Sequence, residues 1–425
     1  MKENYRKAYF AGLLTALVGI VVIVLGFYLV KGVLHVATTV KGNEAVVVNS
    51  DIGSDTGSEQ EPDITYTLDT AQDKVSEIKD IIDAVYYEPY DEELLYDDMY
   101  KGMMEALGDP YSSYFTPGEF QTLMESSSGS YEGIGVVISF SEDGEDIVVV
   151  APFEGSPGDL AGLRPNDVIR AADGLSLEGM TLEEAVNYIK GDKGTEVTLT
   201  IFRPSTEETL DIVVIRDEIT QESVYYEMLG DDIGYIRLTG FQDQTDEQFE
   251  DALDDLDGQG QKGLIIDLRN NPGGLLTTVN TIADRLLGES LIVYTEDKNG
   301  KKKEYFSNAS ESFDKPIVVL VNDYSASASE ILAGALKDLG VGTLVGTTTY
   351  GKGLVQNIIP LSDGSALKVT IAKYFTPSGA YINQVGIEPD ITVALEDDMP
   401  YLFDTEQVDD VQLQKAIETM LGIIQ

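Results

Sequence analysis

Residues 316–356, PIVVLVNDYSASASEILAGALKDLGVGTLVGTTTYGKGLVQ, contain a short apolar run, a serine-rich turn and a segment with helical spacing. The apolar run 317–321 predicts a buried strand. Ser325, Ser327 and Ser329 follow it at alternate positions, directly before the predicted helix. A strand that brings a hydroxyl to the N-terminus of a helix suits a nucleophile, because the free N–H groups and the helix dipole stabilise an oxyanion. Serine also caps helices, and the three serines alone favour that simpler interpretation.

The composition leaves few bases for such a serine. The chain has no cysteine and one histidine, His35, which lies beside an apolar run near the N-terminus. Cys–His chemistry is therefore excluded, and so is a Ser-His-Asp triad unless another chain supplies a histidine. Lysine is the remaining common base, and Lys352 lies between two glycines that let other backbone approach. If this segment is a strand, period two places Lys352, Leu354 and Gln356 on one face. A surface lysine is the alternative interpretation.

Three motifs, in this order, resemble those of one protease family. They are Asp-Leu-Arg-Asn-Asn-Pro-Gly-Gly at 267–274, Ser-Ala-Ser-Ala-Ser-Glu at 325–330 and Thr-Tyr-Gly-Lys-Gly-Leu-Val-Gln at 349–356. The family is that of the carboxyl-terminal processing peptidases, or tail-specific proteases, which are S41-type serine peptidases with a PDZ domain. The resemblance implies that Ser327 is the nucleophile, Lys352 the general base and Gln356 the residue that orients the base. The separation of 25 residues between the serine and the lysine also matches the family.

The first of these motifs ends in a glycine-rich loop. Glycines there can bring a backbone N–H group beside the nucleophile, because they let the chain approach closely. Gly273 or Gly274, together with the N–H of Ala328, would then form an oxyanion hole. The resemblance assigns the same role to this loop.

Length and charge restrict the function further. The chain has 425 residues, room for about three domains of ~150 residues. Its formal net charge is −47, from 75 acidic and 28 basic residues, which argues against nucleic acid as a partner because binding phosphates needs clustered lysine and arginine. Without cysteine the chain forms no disulfide and no thiolate metal site. We expect no metal and no cofactor, with carboxylate-bound calcium as the alternative.

The N-terminus predicts a membrane anchor. Lys2, Arg6 and Lys7 precede an apolar run at 8–30. Those 23 residues would span ~34 Å as a helix, enough for the ~30 Å hydrocarbon core of a bilayer. A cleavable signal peptide has a shorter apolar core and a small-residue cleavage site, so we favour a single-pass anchor within 1–35. The basic flank implies a cytoplasmic tail and an extracytoplasmic catalytic part at the cell membrane. A buried soluble helix is the alternative.

A linker and a helical region follow. Residues 36–66, rich in glycine, serine and acids, predict a flexible acidic linker. In 67–125, apolar residues recur at helical spacing in two segments, which predicts two helices before the turn Gly108-Asp-Pro. The stretch 107–117 resembles the N-terminal region of the family, which in relatives helps to form dimers. We therefore expect a homodimer or a higher homo-oligomer.

Residues 126–218 resemble a PDZ domain. Gly155-Ser-Pro-Gly-Asp-Leu-Ala-Gly-Leu-Arg-Pro-Asn-Asp-Val-Ile is close to a bacterial PDZ pattern. Asn166 replaces a usual glycine there, and asparagine also enters the left-handed region. Thr181, followed by Glu184, predicts a capping box at the start of a helix. A peptide tail would bind between that helix and the strand after a glycine turn, whose N–H groups can capture a terminal carboxylate. The predicted groove residues are Gly133, Ile134, Gly135, Val136, Leu182 and Val186.

Residues 219–396 alternate predicted strands and helices, and the resemblance implies an α/β catalytic domain of the ClpP/crotonase-like type. The almost continuously apolar run 264–268 is typical of a sheet covered on both faces. We interpret Asp267 and Arg269 as a structural ion pair. The segment 397–425 predicts an amphipathic helix that packs within the protein or a dimer, since it has too few basic residues for a membrane surface.

These patterns predict a multidomain α/β protein, a membrane-anchored serine endopeptidase with a Ser–Lys dyad. Its PDZ domain would recognise protein or peptide substrates with apolar C-termini. The alternative is a PDZ scaffold whose protease-like domain only binds peptides, but a binder would need neither the serine nor the lysine. Acyl transfer to another acceptor would use the same nucleophile, and only the PDZ region argues against it.

Overall fold

The computed structural model describes residues 67–141, 144, 146–308, 312–394 and 410–424. The predicted anchor (1–35) and linker (36–66) lie outside the described residues. No helix within the described ranges is both long and apolar enough to cross a bilayer. The described residues divide into two compact units, the first with 67–90, 141 and 144 and the second with the rest.

The predicted helical region contains three helices and a short strand. In the first unit, Thr67 caps α1 (Leu68–Val85) through a capping box. The second unit begins with α2 (Glu92–Glu105), β1 (Ser113–Phe115) and α3 (Pro117–Ser128). Helices α1 and α2 confirm the two helices predicted before Gly108.

An antiparallel sheet forms the region predicted as a PDZ domain. Its elements are β3 (Val136–Phe140), β4 (Ile147–Pro152), α4 (Pro157–Leu160), β5 (Val168–Ala172), β6 (Leu175–Ser176), α5 (Leu182–Ile189), β7 (Glu196–Arg203) and β8 (Glu208–Ile215). The strands pair in the order β3-β4-β5-β7-β8, with β6 on β5. A ribbon of β2 (Ser130–Gly133) and β9 (Asp217–Thr220) joins the two ends of the domain.

Two details of the predicted PDZ pattern are confirmed. Thr181 caps α5 through a capping box with Glu184, so that the first turn of the helix has acceptors for its free N–H groups. Asn166 has φ 70°, in the left-handed region that the pattern usually fills with glycine. Ala185 and Ile189 of α5 are buried in the core of the sheet. Val186 and Ile189 of α5, with the following Lys190, border a groove.

The catalytic part is built on a mostly parallel sheet. Its strands are β10 (Val224–Leu229), β11 (Ile233–Leu238), β12 (Gly263–Asp267), β15 (Ile317–Val321), β16 (Gly342–Gly346) and β19 (Ile391–Thr392), paired in that order. Only β10 is antiparallel to its neighbour. All residues of β12 and β15 are buried, which confirms the two predicted buried strands.

Helices cover both faces of this sheet. One face packs on α6 (Thr245–Gln259), α7 (Leu276–Leu286) and α8 (Ala328–Asp338) through alternate strand residues such as Leu264 and Ile266. The residues between them, such as Ile265, face α9 (Val411–Ile424), which buries Leu413, Ala416 and Met420 there. Because each face has its own apolar layer, the strands lose the alternation of polar and apolar residues. The predicted C-terminal helix is confirmed as a packing element of this domain.

A second, antiparallel sheet carries the other half of the site. It contains β13 (Ser290–Asp297), β14 (Lys302–Ser307), β17 (Leu354–Pro360) and β18 (Ala366–Phe375). Strand β18 pairs with β17 and with β13, and β14 pairs with β13. Strand β1 of the N-terminal region also pairs with β18, with Ser113 opposite Lys368. The N-terminal region is therefore joined to the sheet that borders the predicted base.

Candidate active site

Ser327 occupies the turn between β15 and α8. Its backbone has φ 56° and ψ −114°, a conformation that non-glycine residues rarely adopt. Ser327 directly precedes the first residue of α8, so the free N–H groups and the positive end of the helix dipole lie beside it. A strained serine at a helix N-terminus is suited to nucleophilic attack on a carbonyl group.

The two neighbouring serines have structural roles. The hydroxyl of Ser325 donates to Leu268 O at 2.8 Å, and that of Ser329 donates to Asn271 O at 2.9 Å. Both serines are fully buried, whereas Ser327 is half-buried. The flanking hydroxyls thus fasten the serine turn to the loop after β12. The structure thus distinguishes Ser327 from the other two serines, whereas their alternate spacing in the sequence did not.

The glycine loop lies against the serine turn. Gly273 has φ +102°, and a Cβ atom there would lie 2.8 Å from Ser327 Cβ and 2.9 Å from Ala328 N, so only glycine fits. The Gly273 N–H donates to Asn271 Oδ1 at 2.9 Å and would have to leave this acceptor to bind an oxyanion. The N–H groups of Gly274 and Ala328 form no hydrogen bond to any residue that the structure describes. Gly273 and Ala328 of the predicted oxyanion hole therefore lie together at Ser327, while Gly274 packs against the backbone of Phe241.

One buried carboxylate joins the serine turn to the lysine loop. Glu330 Oε2 accepts from the backbone N–H groups of Ser327 and Lys352, each at 2.9 Å. Its Oε1 accepts from the Thr349 hydroxyl at 2.6 Å and from Gly351 N at 2.7 Å. Glu330 has no exposed surface, so these bonds replace its lost hydration. The side chain fixes the separation of the predicted nucleophile and base through their backbones.

The sequence analysis missed this role of Glu330. The available signal was an acidic residue at the start of an otherwise apolar helix, three residues after a serine. That spacing is typical of a capping box, and Glu330 does accept from the N–H of Ser327, its N-cap residue. What the spacing does not reveal is that the same carboxylate also reaches a loop that lies 22 residues further along the chain.

Lys352 lies in the loop before β17, enclosed by other backbone. A Cβ atom on Gly351 would lie 2.8 Å from Gly386 N, and one on Gly353 would lie 2.8 Å from Asn383 N. The segment that contains Asn383 and Gly386 thus closes over the lysine backbone. This confirms the expectation that the flanking glycines permit a close approach.

Burial lowers the pKa of the Lys352 ammonium, and the nearby Lys368 lowers it further. Glu330 and Asp109 act in the opposite direction, but the pKa remains below its ordinary value. A lowered pKa is what a lysine base requires near neutral pH. Within the described residues, Lys352 Nζ forms no hydrogen bond or ion pair, and it lies 4.9 Å from the ring centroid of Tyr111.

Gln356 is placed differently from the expectation. Strand β17 begins only at Leu354, so Lys352 lies in the loop before it and the period-two alignment, which required a strand through Lys352, does not apply. The pairing with β18 shifts between Val355 and Gln356, but the extra residue is Ile371 of β18, so the alternation along β17 is unbroken. Gln356 Nε2 donates to Thr370 Oγ1 on β18 at 3.2 Å.

Asp267 and Arg269 form the predicted ion pair. Arg269 Nη2 lies 2.6 Å from Asp267 Oδ2 and 2.8 Å from Asp410, just before α9. The Tyr235 hydroxyl also donates to Asp267, at 2.8 Å. Burial acting alone would raise the pKa of Asp267, but Arg269 and these hydrogen bonds hold it below its usual value. The pair thus fastens the C-terminal helix to the end of β12.

The predicted peptide groove is a cavity of about 360 Å³. Ile134, Gly135, Val136 and Val186 line it, as predicted. Gly133 and Leu182 do not, because Gly133 is buried at the end of β2 and Leu182 packs against the domain core. Residues of α3, which are Thr122, Glu125 and Ser126, form part of the wall.

A cation that the sequence analysis did not select also lies in this groove. Lys190, directly after α5, lines the cavity and pairs with Glu125 of α3 at 2.7 Å. Its ammonium lies 4.7 Å from the ring centroid of Tyr131. The cavity is therefore mostly apolar, with the Lys190–Glu125 ion pair in its wall, which suits a tail with an apolar side chain.

A PDZ domain joined to an α/β domain with a serine at a strained helix N-terminus defines a PDZ-containing serine endopeptidase. The model of peptidase family S41 matches residues 232–393, that of the PDZ domain residues 148–203, and that of the activating protease CtpB N-terminal domain residues 27–117.

Two relatives extend over most of the chain. The carboxy-terminal processing protease CtpA of Bacillus subtilis (strain 168) is 40% identical over 339 residues, 79% of this chain and 72% of that protein. A carboxyl-terminal-processing protease of Synechocystis sp. is 39% identical over 324 residues, 75% of each chain. The solved photosystem II D1 C-terminal processing protease is 32% identical, with 75% of this chain and 86% of that chain covered and a TM-score of 0.45. The chain belongs to the carboxyl-terminal processing protease family.

Proposed function

We propose that the chain is a membrane-anchored processing endopeptidase that uses Ser327 as its nucleophile and Lys352 as its general base. The observation that carries this proposal is the Glu330 carboxylate, which holds the backbones of both residues on one oxygen. A scaffold that only bound peptides would have no need for a strained serine and a half-buried lysine whose backbones are bound to one carboxylate. No observation favours that alternative.

In the proposed mechanism, each of these groups has one task. The neutral amine of Lys352 accepts the hydroxyl proton of Ser327 as Oγ bonds to the scissile carbonyl carbon. The oxyanion is stabilised by N–H groups of Ala328 and of Gly274 or Gly273. The lysine then gives its proton to the departing amine, and an acyl-enzyme remains. Water, deprotonated by the same lysine, releases the carboxylic acid and restores Ser327. Gln356, from its place on β17, would orient the lysine in the working state.

The PDZ groove would supply substrate selection. The cavity between α5 and the start of β3 is large enough for one apolar side chain, and backbone N–H groups there would bind the terminal carboxylate. Substrates with apolar C-termini are therefore favoured. The apolar run 8–30 would hold the enzyme at the cell membrane with its catalytic part outside the cytoplasm. The N-terminal region would form a homodimer or a higher homo-oligomer.

Substitution of the two reacting residues tests the dyad. Ser327→Ala and Lys352→Arg should each abolish cleavage of an unstructured polypeptide without changing the thermal unfolding midpoint by more than a few degrees. Arginine stays charged at every accessible pH and so cannot act as a base. Lys301→Arg, at an exposed position, is the matched control and should be as active as the wild type. Substantial cleavage by the Lys352→Arg variant would exclude Lys352 as the base.

Calorimetry with the full-length Ser327→Ala chain tests tail recognition without cleavage. A peptide that ends in an apolar residue should bind more weakly when its carboxylate is amidated. Lys190→Met should reduce the difference between the two peptides, because it removes the cation of the groove. Equal affinity for amidated and free tails in the Ser327→Ala chain would remove this role from the PDZ domain.

A further inference from the structure

A tyrosine from the N-terminal region covers the amine of Lys352. The Nζ atom lies over the ring of Tyr111, 4.9 Å from its centroid, within the ~6 Å range in which an ammonium is attracted to an aromatic face. The charged groups around the amine are Lys368 of β18, Glu330 of α8 and Asp109 of the loop before β1. Among the described residues, none of them forms a hydrogen bond or ion pair with Nζ. The ring of Tyr111 lies directly beside the amine.

Hydrogen bonds hold this tyrosine in place from both sides. Asp109 Oδ1 accepts from the Tyr111 N–H at 3.1 Å, and Asp109 Oδ2 accepts from the Ser112 hydroxyl at 2.6 Å. Ser112 Oγ in turn accepts from Thr370 N on β18 at 3.0 Å. Thr370 is also the residue that binds Gln356. These hydrogen bonds connect the loop that carries the ring to the strands beside the lysine, and they fix the position of the ring.

We propose that Tyr111 is a positioning residue for Lys352, whose ring holds the protonated side chain in the place seen here and releases it on deprotonation. The proposal rests on the assignment of Lys352 as the base. An aromatic face attracts a cation and has no comparable attraction for a neutral amine. The loss of the proton that makes the lysine a base therefore also weakens its hold on the ring. The amine is then free to hydrogen-bond to Ser327 Oγ.

The tyrosine itself remains neutral throughout this cycle. Burial, followed by a hydrogen bond with Tyr350 and the charges of Glu330 and Asp109, raises the pKa of Tyr111 to about 12. A phenolate would bind the ammonium as an ion pair and hold it at all working pH values. A neutral ring attracts only the charged form of Lys352. This attraction is weak enough that the loss of one proton from the lysine ends it.

The contact predicts a shift of known sign in the pH dependence. A ring that favours the ammonium raises the pKa of the lysine relative to an apolar surface of the same shape. Weakening the ring should therefore lower the lysine pKa, by roughly half to one and a half units for a contact of the usual strength. The rising limb of the kcat/KM profile should move to lower pH by the same amount. Lys368, Glu330 and Asp109 stay constant in this comparison.

A fluorination series at position 111 tests this without changing the size of the side chain much. Tyr111→Phe keeps the negative ring face, and pentafluorophenylalanine at position 111 removes it. In the full-length chain, the rising limb of the kcat/KM profile should lie at the wild-type pH in the phenylalanine variant. It should lie at lower pH in the pentafluorophenylalanine variant. The lysine pKa is measured in parallel by pH-dependent acylation of Lys352, read by mass spectrometry.

The two measurements separate this proposal from the one on which it rests. If Lys352 is not the base, Lys352→Arg stays active, while the acylation pKa of Lys352 still reports the ring contact. A merely structural role for Tyr111 would change the unfolding midpoint and leave both pH curves in place. An acylation pKa that is equal in the two variants, or higher with the fluorinated ring, would overturn the positioning role.

Discussion

Replacing Glu330 by glutamine keeps the size of the side chain and removes its charge. The carboxylate accepts four hydrogen bonds of 2.6–2.9 Å, two on each oxygen, and three of the donors are backbone N–H groups. An amide has one oxygen and one NH2 group, and NH2 only donates. Whichever way the glutamine turns, at least one backbone N–H therefore faces a donor. If the NH2 takes the place of Oε2, both Ser327 and Lys352 lose their acceptor.

The expected loss of stability follows from these contacts. A buried N–H without an acceptor costs about 1–3 kcal/mol, and the two bonds that remain on the amide oxygen lose roughly 1 kcal/mol each because their acceptor changes from charged to neutral. Relief from the burial of a charge offsets part of this loss. We expect Glu330→Gln to lower the free energy of unfolding by about 2–4 kcal/mol. A shift of the serine turn by ~1 Å would lower kcat/KM by roughly 100-fold.

The same substitution should also move the pH profile, although it lowers the activity. Glu330 raises the pKa of Lys352, against the lowering by burial and by Lys368. Removing its negative charge should therefore lower the lysine pKa further. The rising limb of the residual activity should move to lower pH. An enzyme that is weaker at its optimum yet relatively better in acid is a signature that general destabilisation does not produce.

The assay combines urea unfolding with kcat/KM for an unstructured polypeptide measured across pH. Glu304→Gln, at an exposed position on β14, removes the same charge and serves as the control. The control should match the wild type in its free energy of unfolding and in the pH of the rising limb of its kcat/KM profile. If Glu330→Gln has wild-type kcat/KM and unfolding free energy, or if its limb moves to higher pH, the carboxylate does not join the serine to the lysine as described.

Two further substitutions test the close packing of the site and the loss of stability caused by its lysine. Gly273→Ala should lower kcat/KM by about 100-fold, because its Cβ would lie 2.8 Å from Ser327 Cβ. Gly288→Ala is the control and should have no effect, because its Cβ meets no atom within 4 Å. Equal kcat/KM in the two variants would contradict the close approach. Lys352→Met should abolish activity and raise the free energy of unfolding, because the lowered pKa means that folding opposes the charge of Lys352. This gain should be largest below the folded pKa of the lysine and disappear as pH approaches ~10.4, and a gain independent of pH would argue against a buried ammonium.

Sequence patterns predicted the elements of the catalytic part more completely than their contacts. The apolar run that became β15 and the helical spacing after it were sufficient to place Ser327 between a strand and a helix. The choice of Ser327 over Ser325 and Ser329 needed either the family resemblance or the buried carbonyl groups that bind the other two hydroxyls. Hydrogen bonds between distant segments leave no periodic signal in a sequence.

The start of β17 shows a different limit of sequence reasoning. Alternation places side chains on one face only where the segment is a strand. The segment from Lys352 to Gln356 has the composition of a strand, so its pattern gave no indication that the strand begins only at Leu354. Lys352 itself lies before the strand, in a loop held by Glu330.

The arrangement around Lys352 shows how one acid can support a lysine base without disabling it. A free carboxylate beside the amine would hold the proton there and raise the pKa. Glu330 instead accepts hydrogen bonds from the backbone N–H groups of Ser327, Gly351 and Lys352, from the Thr349 hydroxyl and, at 3.5 Å, from the Tyr374 hydroxyl. Its charge still acts on the lysine, but burial and Lys368 outweigh it, and the pKa stays lowered. Glu330 thus sets the geometry, while burial and Lys368 set the direction of the pKa shift of Lys352. Glu330→Gln should therefore change stability together with the rising limb, whereas the fluorinated ring at position 111 should move the limb.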